Sequence, residues 1–193
     1  MKKNCLILLI TILFFSCSKN DLDRTIFIPD EEDYNLPAYT EWGYNTFGAE
    51  YERDYFLASN KIIPCKIVVK ENQLQFLLSG KIRNNQEMTL MFIFPSTEIK
   101  DYKELLQLHK TEIDLSAKSC IVKILQKGNE QILGVIKGKL FFKRVQVLSV
   151  DDQVNRVILS GTFELNFLQN NLPTSITNGR FDLGITENLF YAY

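Results

Sequence analysis

The chain has 193 residues, of which 46% are hydrophobic and 23% are charged. This is ordinary globular usage at the length of one domain, so wholesale disorder is excluded. The balance of 22 Lys and Arg against 23 Asp and Glu gives a net charge of −1, without the basic excess of a nucleic-acid-binding protein. We therefore expect no nucleic-acid partner. The 14 Phe and 8 Tyr favour strands.

Residues 1–16 have the pattern of a bacterial lipoprotein signal peptide. A lysine-containing start leads into an apolar run of 11 residues that ends at Phe15, shorter than the ~20 residues that span a bilayer. The run is followed by Ser16 and Cys17, which resemble the lipobox at which the signal is removed and the cysteine is acylated. The resemblance implies lipidation at Cys17, with palmitate-like acyl chains that attach the protein to a membrane. The alternative is an ordinary secretory signal that ends near a cysteine.

The residues after Cys17 predict an outer-membrane location. Ser18 stands where many lipoproteins retained at the inner membrane carry Asp, and the stretch from Ser18 to Asp21 resembles surface-export signals of Bacteroidota lipoproteins. Both the periplasmic and the surface-exposed face stay open. Residues 17–37 are acidic and interrupted by proline, which predicts a flexible tether, with a single β domain over 38–193.

The domain begins with an aromatic stretch that has two interpretations. Trp42, Tyr44 and Tyr51 are flat apolar side chains of the kind on which sugar rings stack, and Glu50 could accept hydroxyl hydrogen bonds. These four residues are candidate ligand-binding residues. The alternative is that the aromatic rings close a core.

Two alternating runs, 74–82 and 88–94, predict a hairpin with a turn at Asn84-Asn85. After it, Asp101 and Glu104 form the sequence of a capping box, which predicts one short helix to about residue 109.

A second hairpin is predicted from 120–124 and 132–136, joined by a turn at Gly128-Asn129. Alternation then continues over 140–150, 157–167 and 181–185. The fold class is all-β: an antiparallel β-sandwich or barrel-like sheet of about eight to ten strands with one short helix.

Three stretches carry a family resemblance. The sequence Asn-Thr-Phe-Gly at 45–48 resembles the opening of small uncharacterised β-rich lipoproteins of Bacteroidota, which carry a domain of unknown function. The stretches 160–165 and 176–182 are similar to the last two strands of those proteins. The resemblance implies fold and location, and it supplies no catalytic residue. Within the motif we expect special backbone angles at Gly43 and Gly48 and a core position for Phe47.

Catalytic chemistry has little support in the sequence. The chain has one histidine, His109, and no Gly-x-Ser-x-Gly elbow. Glu41 and Glu50 are a weak candidate for a carboxylate pair. Neither a zinc ligand set nor a phosphate-binding loop is present, so we predict no metal, no cofactor and no enzymatic activity.

Cys65 and Cys120 are the free thiols of the processed chain. They could form a disulfide in the oxidising envelope, or they could be small buried hydrophobic residues on strands.

The expected function is a lipid-anchored envelope protein that acts as a non-catalytic binding or structural module. Its partner would be a glycan or an envelope protein. The alternative is a surface carbohydrate-binding accessory protein.

Overall fold

The structure is a computed structural model that describes residues 24–60, 62–82, 85–96, 98–150 and 153–193. The predicted signal peptide and Cys17 lie outside these residues. The described chain forms twelve strands and two 3-10 helices. The strands are β1 Thr46–Tyr51, β2 Asp54–Ala58, β3 Cys65–Lys70, β4 Gln73–Ile82, β5 Gln86–Pro95, β6 Thr111–Asp114, β7 Ile121–Gln126, β8 Asn129–Ile132, β9 Gly134–Val150, β10 Gln153–Gln169, β11 Leu172–Ile185 and β12 Phe190–Ala192; the helices are Tyr102–Leu108 and Glu187–Leu189.

The twelve strands belong to one sheet. Its order is β6-β9-β10-β11-β1-β2-β4-β5-β7-β8, with β3 beside β4 and β12 beside β3. All pairings are antiparallel except that of β12 with β3. Within the described residues β6 and β8 do not pair with each other, so the sheet is not closed into a barrel. The prediction of an all-β antiparallel fold is confirmed.

The sheet folds over so that its two halves face each other. Two strands, β1 and β2, lie between Phe76 on β4 and Phe181 on β11 in the sheet order, yet the ring centroids of the two phenylalanines lie 5.2 Å apart. Phe94 on β5 and Phe142 on β9 belong to opposite halves, and their centroids lie 6.2 Å apart. Tilted and edge-on contacts of this kind fill the space between two sheet layers. The arrangement is therefore sandwich-like.

The alternating runs of the sequence became the longest strands. In β4 the buried side chains are Leu74, Phe76 and Leu78, all fully inaccessible to solvent. β5 pairs with β4 along its whole length, as the first predicted hairpin requires. The runs at 157–167 and 181–185 likewise form parts of β10 and β11 with the predicted face inside.

The second predicted hairpin is present, but its turn lies one residue earlier than predicted and its second strand is placed differently. β7 and β8 pair across Lys127-Gly128, since Gln126 lies opposite Asn129, and Ile132 and Ile136 are 65% and 60% exposed. Leu133 is buried instead. In β9, Lys137 and Val135 face consecutive residues of β10, so Ile136 is an extra residue that bulges out of the ladder.

The predicted helix is present as a 3-10 helix. The Asp101 side chain accepts from the backbone of the first turn, and Glu104 returns the contact, which confirms the capping box. Its buried side chains are Tyr102, Leu105 and Leu108, at the three-residue period of a 3-10 helix. No helix in the described part of the chain is long and apolar enough to cross a membrane.

The segment predicted as the end of a flexible tether is held against the domain. The Ile26 amide donates to Tyr44, and the Ala38 amide donates to Ile28. Leu36 is fully buried. An ion pair of 2.6 Å joins Asp30 to Arg180 on β11. The described part of the 17–37 segment therefore differs from the prediction, because several backbone groups, Leu36 and Asp30 have partners in the domain.

Candidate functional site

The aromatic stretch is held in place by one buried carboxylate. Asp182 on β11 is 1% exposed. Its oxygens accept from the backbone amides of Trp42, Gly43 and Tyr44 at 3.0, 2.8 and 3.2 Å. They also accept from the hydroxyls of two residues, Thr40 at 2.6 Å and Ser160 at 2.9 Å. Five donors offset the desolvation of a buried charge, so the loop over 40–44 is rigidly placed.

Backbone geometry completes this loop. Gly43 has φ of +76°, a region that glycine adopts without strain. Asn45 has φ of +53°, and its side-chain oxygen accepts from the Gly184 amide at 2.9 Å. The expectation of a special angle at Gly48 is wrong. Gly48 is required because a Cβ there would collide with the ring of Pro37.

The rest of the Asn-Thr-Phe-Gly motif serves the core. Phe47 is fully buried, and its ring centroid lies 4.7 Å from that of Phe56. Thr46 is 3% exposed, and its hydroxyl has no hydrogen-bond partner among the described residues. The motif is therefore structural, as predicted.

Trp42 projects from this rigid loop into solvent. It is 72% exposed, although its backbone amide is fixed by Asp182. A shallow depression of about 600 Å³ lies beside it. The lining residues are Tyr39, Thr40, Glu41, Trp42, Arg144 and Gln146. We call this region the Trp42 platform.

The polar edge of the Trp42 platform is a connected network. Arg144 Nε lies 3.4 Å from Glu41 Oε2 and donates to Gln146 Oε1 at 2.9 Å. Gln146 Nε2 donates to the Glu41 carbonyl at 2.6 Å. Tyr39 donates its hydroxyl to Glu41 Oε1 at 2.9 Å, and Lys143 Nζ lies 4.5 Å from the Tyr39 ring centroid. The network fixes a carboxylate, a guanidinium and an amide around an open aromatic face.

Tyr39 is protonated at neutral pH. Burial and the neighbouring carboxylate of Glu41 raise the pKa of this phenol well above its usual range. Its hydroxyl is therefore a stable donor that orients Glu41.

The structure does not gather the four predicted ligand-binding residues into one site. Trp42 lines the depression and Tyr44 follows it in the loop. Glu50 lies on β1, where its carboxylate accepts from Asn178 at 2.7 Å and from Thr177 at 3.2 Å. Tyr51 packs against the core, and its hydroxyl donates to Gln169 at 2.6 Å. Burial raises the pKa of Tyr51. Glu41 and Glu50 have separate sets of hydrogen-bond and ion-pair partners.

The two cysteines are free, and the sheet keeps them apart. Cys65 lies opposite Leu78, which lies opposite Leu90, which in turn lies opposite Ile124. The strand of Cys65 and the strand that follows Cys120 are therefore separated by three strand spacings, about 14 Å. A disulfide needs α-carbons within about 7 Å. The structure therefore contradicts a disulfide between Cys65 and Cys120.

Neither thiol has the environment of a nucleophile. Burial raises the pKa of Cys65 and, less strongly, that of Cys120. His109 accepts the Val145 amide at Nδ1, at 3.0 Å, so it is tied to the backbone of β9. Among the described residues no group of three or more His, Cys, Asp or Glu could hold a metal ion.

Sequence reasoning identified Trp42 and missed most of what surrounds it. No sequence motif includes Tyr39, Arg144 or Gln146. Arg144 and Gln146 also lie more than a hundred residues from Trp42 in the chain. A local signal was available for Tyr39 alone, two residues before Glu41 and three before Trp42.

The comparisons with known proteins find no matching family model, no matching curated protein and no matching solved structure.

Proposed function

We propose that this chain is a lipid-anchored, non-catalytic binding module of the bacterial cell envelope, held at the outer membrane by acyl chains on Cys17. The support for the anchor is the signal pattern that ends at Ser16 and Cys17. Its domain would stand on the periplasmic or the surface-exposed face.

The observation that carries the binding role is the Trp42 platform. An indole that is 72% exposed on a loop whose backbone is fixed by Asp182 is a large apolar surface at a defined position. Preorganised aromatic faces with a few fixed polar groups are typical of ligand sites. Aromatic rings of both sheet halves fill the interior. A ligand would therefore bind at the surface of the domain rather than inside it.

A second, more specific candidate is carbohydrate binding at the same platform. Sugar rings offer apolar faces to an indole, and their hydroxyls can meet the carboxylate of Glu41 and the guanidinium of Arg144. The Glu41–Arg144–Gln146 network lies beside Trp42 and supports this candidate over a purely structural role.

The anchor is tested by mass spectrometry of the N-terminal peptide from wild-type protein. We expect an acylated Cys17 and loss of that species in Cys17→Ala. An unacylated wild-type N-terminus, together with membrane fractionation of Cys17→Ala, would show that the lipoprotein assignment is wrong.

The binding role is tested by calorimetry with envelope and dietary glycans, comparing wild type with Trp42→Ala. Affinity should fall at least about twofold, since an aromatic contact contributes roughly 0.5–1.5 kcal/mol beyond area burial. The matched control is Leu172→Ala, because Leu172 is 67% exposed and lies at a different turn. Equal affinity in wild type and Trp42→Ala contradicts a site at the platform. Cleavage of a glycan that Glu41→Gln or Glu50→Gln abolishes contradicts the non-catalytic assignment.

A further inference from the structure

Exposed apolar side chains are concentrated where the described chain begins. Ile26, Phe27 and Ile28 are three consecutive residues with exposures of 43%, 46% and 40%. Ile63, in the loop before β3, is 64% exposed. We call these four residues the N-terminal apolar surface.

Two adjoining depressions connect Phe27 with the loop at Ile63. One depression is lined by Arg24, Ile63 and Asn60, among others. The other is lined by Phe27 together with Leu57 and Asn60. Since Asn60 borders both depressions, the N-terminal segment and the loop at Ile63 form one continuous region.

The distance along the chain from the predicted anchor to this region is short. Arg24 follows Cys17 by seven residues, so its α-carbon can be no more than about 25 Å from that of Cys17. The opposite end of the molecule is farther away. Along β11, Leu172 and Gly184 are separated by 12 residues, or about 40 Å.

We propose that the N-terminal apolar surface docks on the bilayer that holds the acylated Cys17, an inference that depends on the proposed lipid anchor. The acyl chains bring this end of the domain to the membrane, and the short connection keeps it there. Ile and Phe side chains enter the boundary between headgroups and acyl chains, where apolar burial adds to the anchoring. The domain thus has a fixed orientation on the membrane.

A second group of exposed apolar residues provides a comparison. Ile132, Ile136 and Leu172 are 65%, 60% and 67% exposed, about as much as Ile63 and more than Ile26, Phe27 and Ile28. Leu172 lies at the β10–β11 turn, beyond the reach of the connection from Cys17. Exposure alone is therefore common in this molecule, and the position of the anchor distinguishes the N-terminal apolar surface.

The test places a fluorescent reporter on this surface in the full-length acylated protein. The chain has one tryptophan, so Trp42→Phe provides a dark background. Phe27→Trp and Ile63→Trp are the reporters on the N-terminal apolar surface, and Leu172→Trp is the matched control. Each protein is reconstituted into phosphatidylcholine vesicles brominated on the upper acyl carbons.

We expect blue-shifted emission from the Phe27→Trp and Ile63→Trp proteins and quenching by about half in brominated vesicles, because a docked side chain lies ~5–10 Å below the surface. The Leu172→Trp protein should keep its emission. Circular dichroism establishes that each variant folds. If the Phe27→Trp protein does not fold, the Ile63→Trp protein still provides a valid test, because Ile63 lies in a loop.

Two fluorescence results would overturn the proposal, and the mass of the N-terminal peptide shows which hypothesis has failed. Emission from the Phe27→Trp and Ile63→Trp proteins equal to that of the Leu172→Trp protein contradicts docking. A blue shift without quenching by bromine shows that a protein surface, such as a second copy of this chain, covers the region instead. The mass of the N-terminal peptide separates the two hypotheses: an acylated protein without quenching refutes docking alone, whereas an unacylated protein refutes the anchor.

Discussion

At the scale of single residues, two buried polar side chains that face each other across β1 and β11 have opposite energetic roles. Asp182 satisfies five donors. Thr46, which lies opposite Asp182 in the ladder, has a buried hydroxyl without a partner among the described residues. A satisfied charge stabilises the loop beside it, whereas an unsatisfied hydroxyl lowers the free energy of unfolding.

We expect Asp182→Ala to lower the free energy of unfolding by about 3 kcal/mol or more, because three backbone amides and two hydroxyls lose their acceptor. For a domain of this size the melting temperature should fall by roughly 6–12 °C. The matched control is Glu87→Ala, at an exposed position of β5. Thermal unfolding of the two variants checks the prediction, and equal melting temperatures would contradict it.

Thr46→Val is expected to leave stability unchanged or to raise it by up to about 1 kcal/mol. Valine has nearly the same shape, and it removes the buried hydroxyl that lacks a partner. Chemical denaturation of wild type and variant measures the difference. A loss of more than about 1 kcal/mol would show that the hydroxyl has a partner, for instance an ordered water.

At the scale of elements, the N-terminal segment shows how a stretch with little to bury becomes part of a fold. Its contacts are a few backbone hydrogen bonds, the buried Leu36 and the ion pair of Asp30 with Arg180. Hydrogen bonds from the amides of Glu32 and Asp33 and the charge of Arg180 lower the pKa of Asp30. Its ionised form is therefore favoured by folding.

The attachment of this segment should depend on pH. Since the pKa of Asp30 is lower in the folded state, its stabilisation is full above the ordinary carboxyl pKa of about 4 and is lost as the pH falls through the lowered value. Asp30→Asn should therefore speed proteolysis within the N-terminal segment at pH 7. Hydrogen exchange of the same segment should differ between variant and wild type at pH 7 and converge once the pH falls below the lowered pKa of Asp30. A difference that persists unchanged in acid would contradict the role of the carboxylate.

The sequence predicted the long strands well and the short ones poorly. β4, β5, β10 and β11 have 10, 10, 17 and 14 residues, long enough for part of each strand to show a period of two. β2, β6, β8 and β12 have three to five residues, too few to show a period. The sequence also could not show that Ile136 would be a bulge, since that depends on its partner strand.

At the scale of the whole molecule, aromatic rings join the two halves of the sheet. The ring of Phe181 contacts Phe76 on β4, Phe142 on β9 and Phe163 on β10, with centroids at 5.2, 5.7 and 6.5 Å. A single side chain thus contacts strands from both layers. Truncation of that side chain leaves a cavity that no single strand can fill.

Phe181→Ala is expected to lower the free energy of unfolding by about 3–5 kcal/mol, the usual range for a buried phenylalanine. The control is Phe27→Ala, since Phe27 is 46% exposed and should contribute less than about 1 kcal/mol to folding in solution. Urea denaturation of both variants distinguishes them. Similar midpoints would mean that the aromatic cluster does not hold the layers together.

The candidate site was predictable only in part, because most of its residues are distant from one another in the chain. Trp42 was singled out from its neighbours in the chain, but Asp182 and Arg144 reach it across more than a hundred residues. Hydrophobic periodicity indicates which face of a strand is buried, but it does not indicate which strands are neighbours in the sheet. The polar edge of the Trp42 platform is a product of strand order, and strand order appears only in the folded molecule.

That strand order also determines how the chain reaches its native state. β1 is paired with β11, so Thr46 meets Asp182 across 136 residues of intervening chain. Contacts of such sequence separation form late, because a large loop must close before they contribute any stability. The loop that carries Trp42 takes its shape from the Asp182 carboxylate, so the proposed binding surface depends on this long-range closure. Slow folding would keep a chain extended for longer, which suits the export that the signal pattern at residues 1–16 predicts.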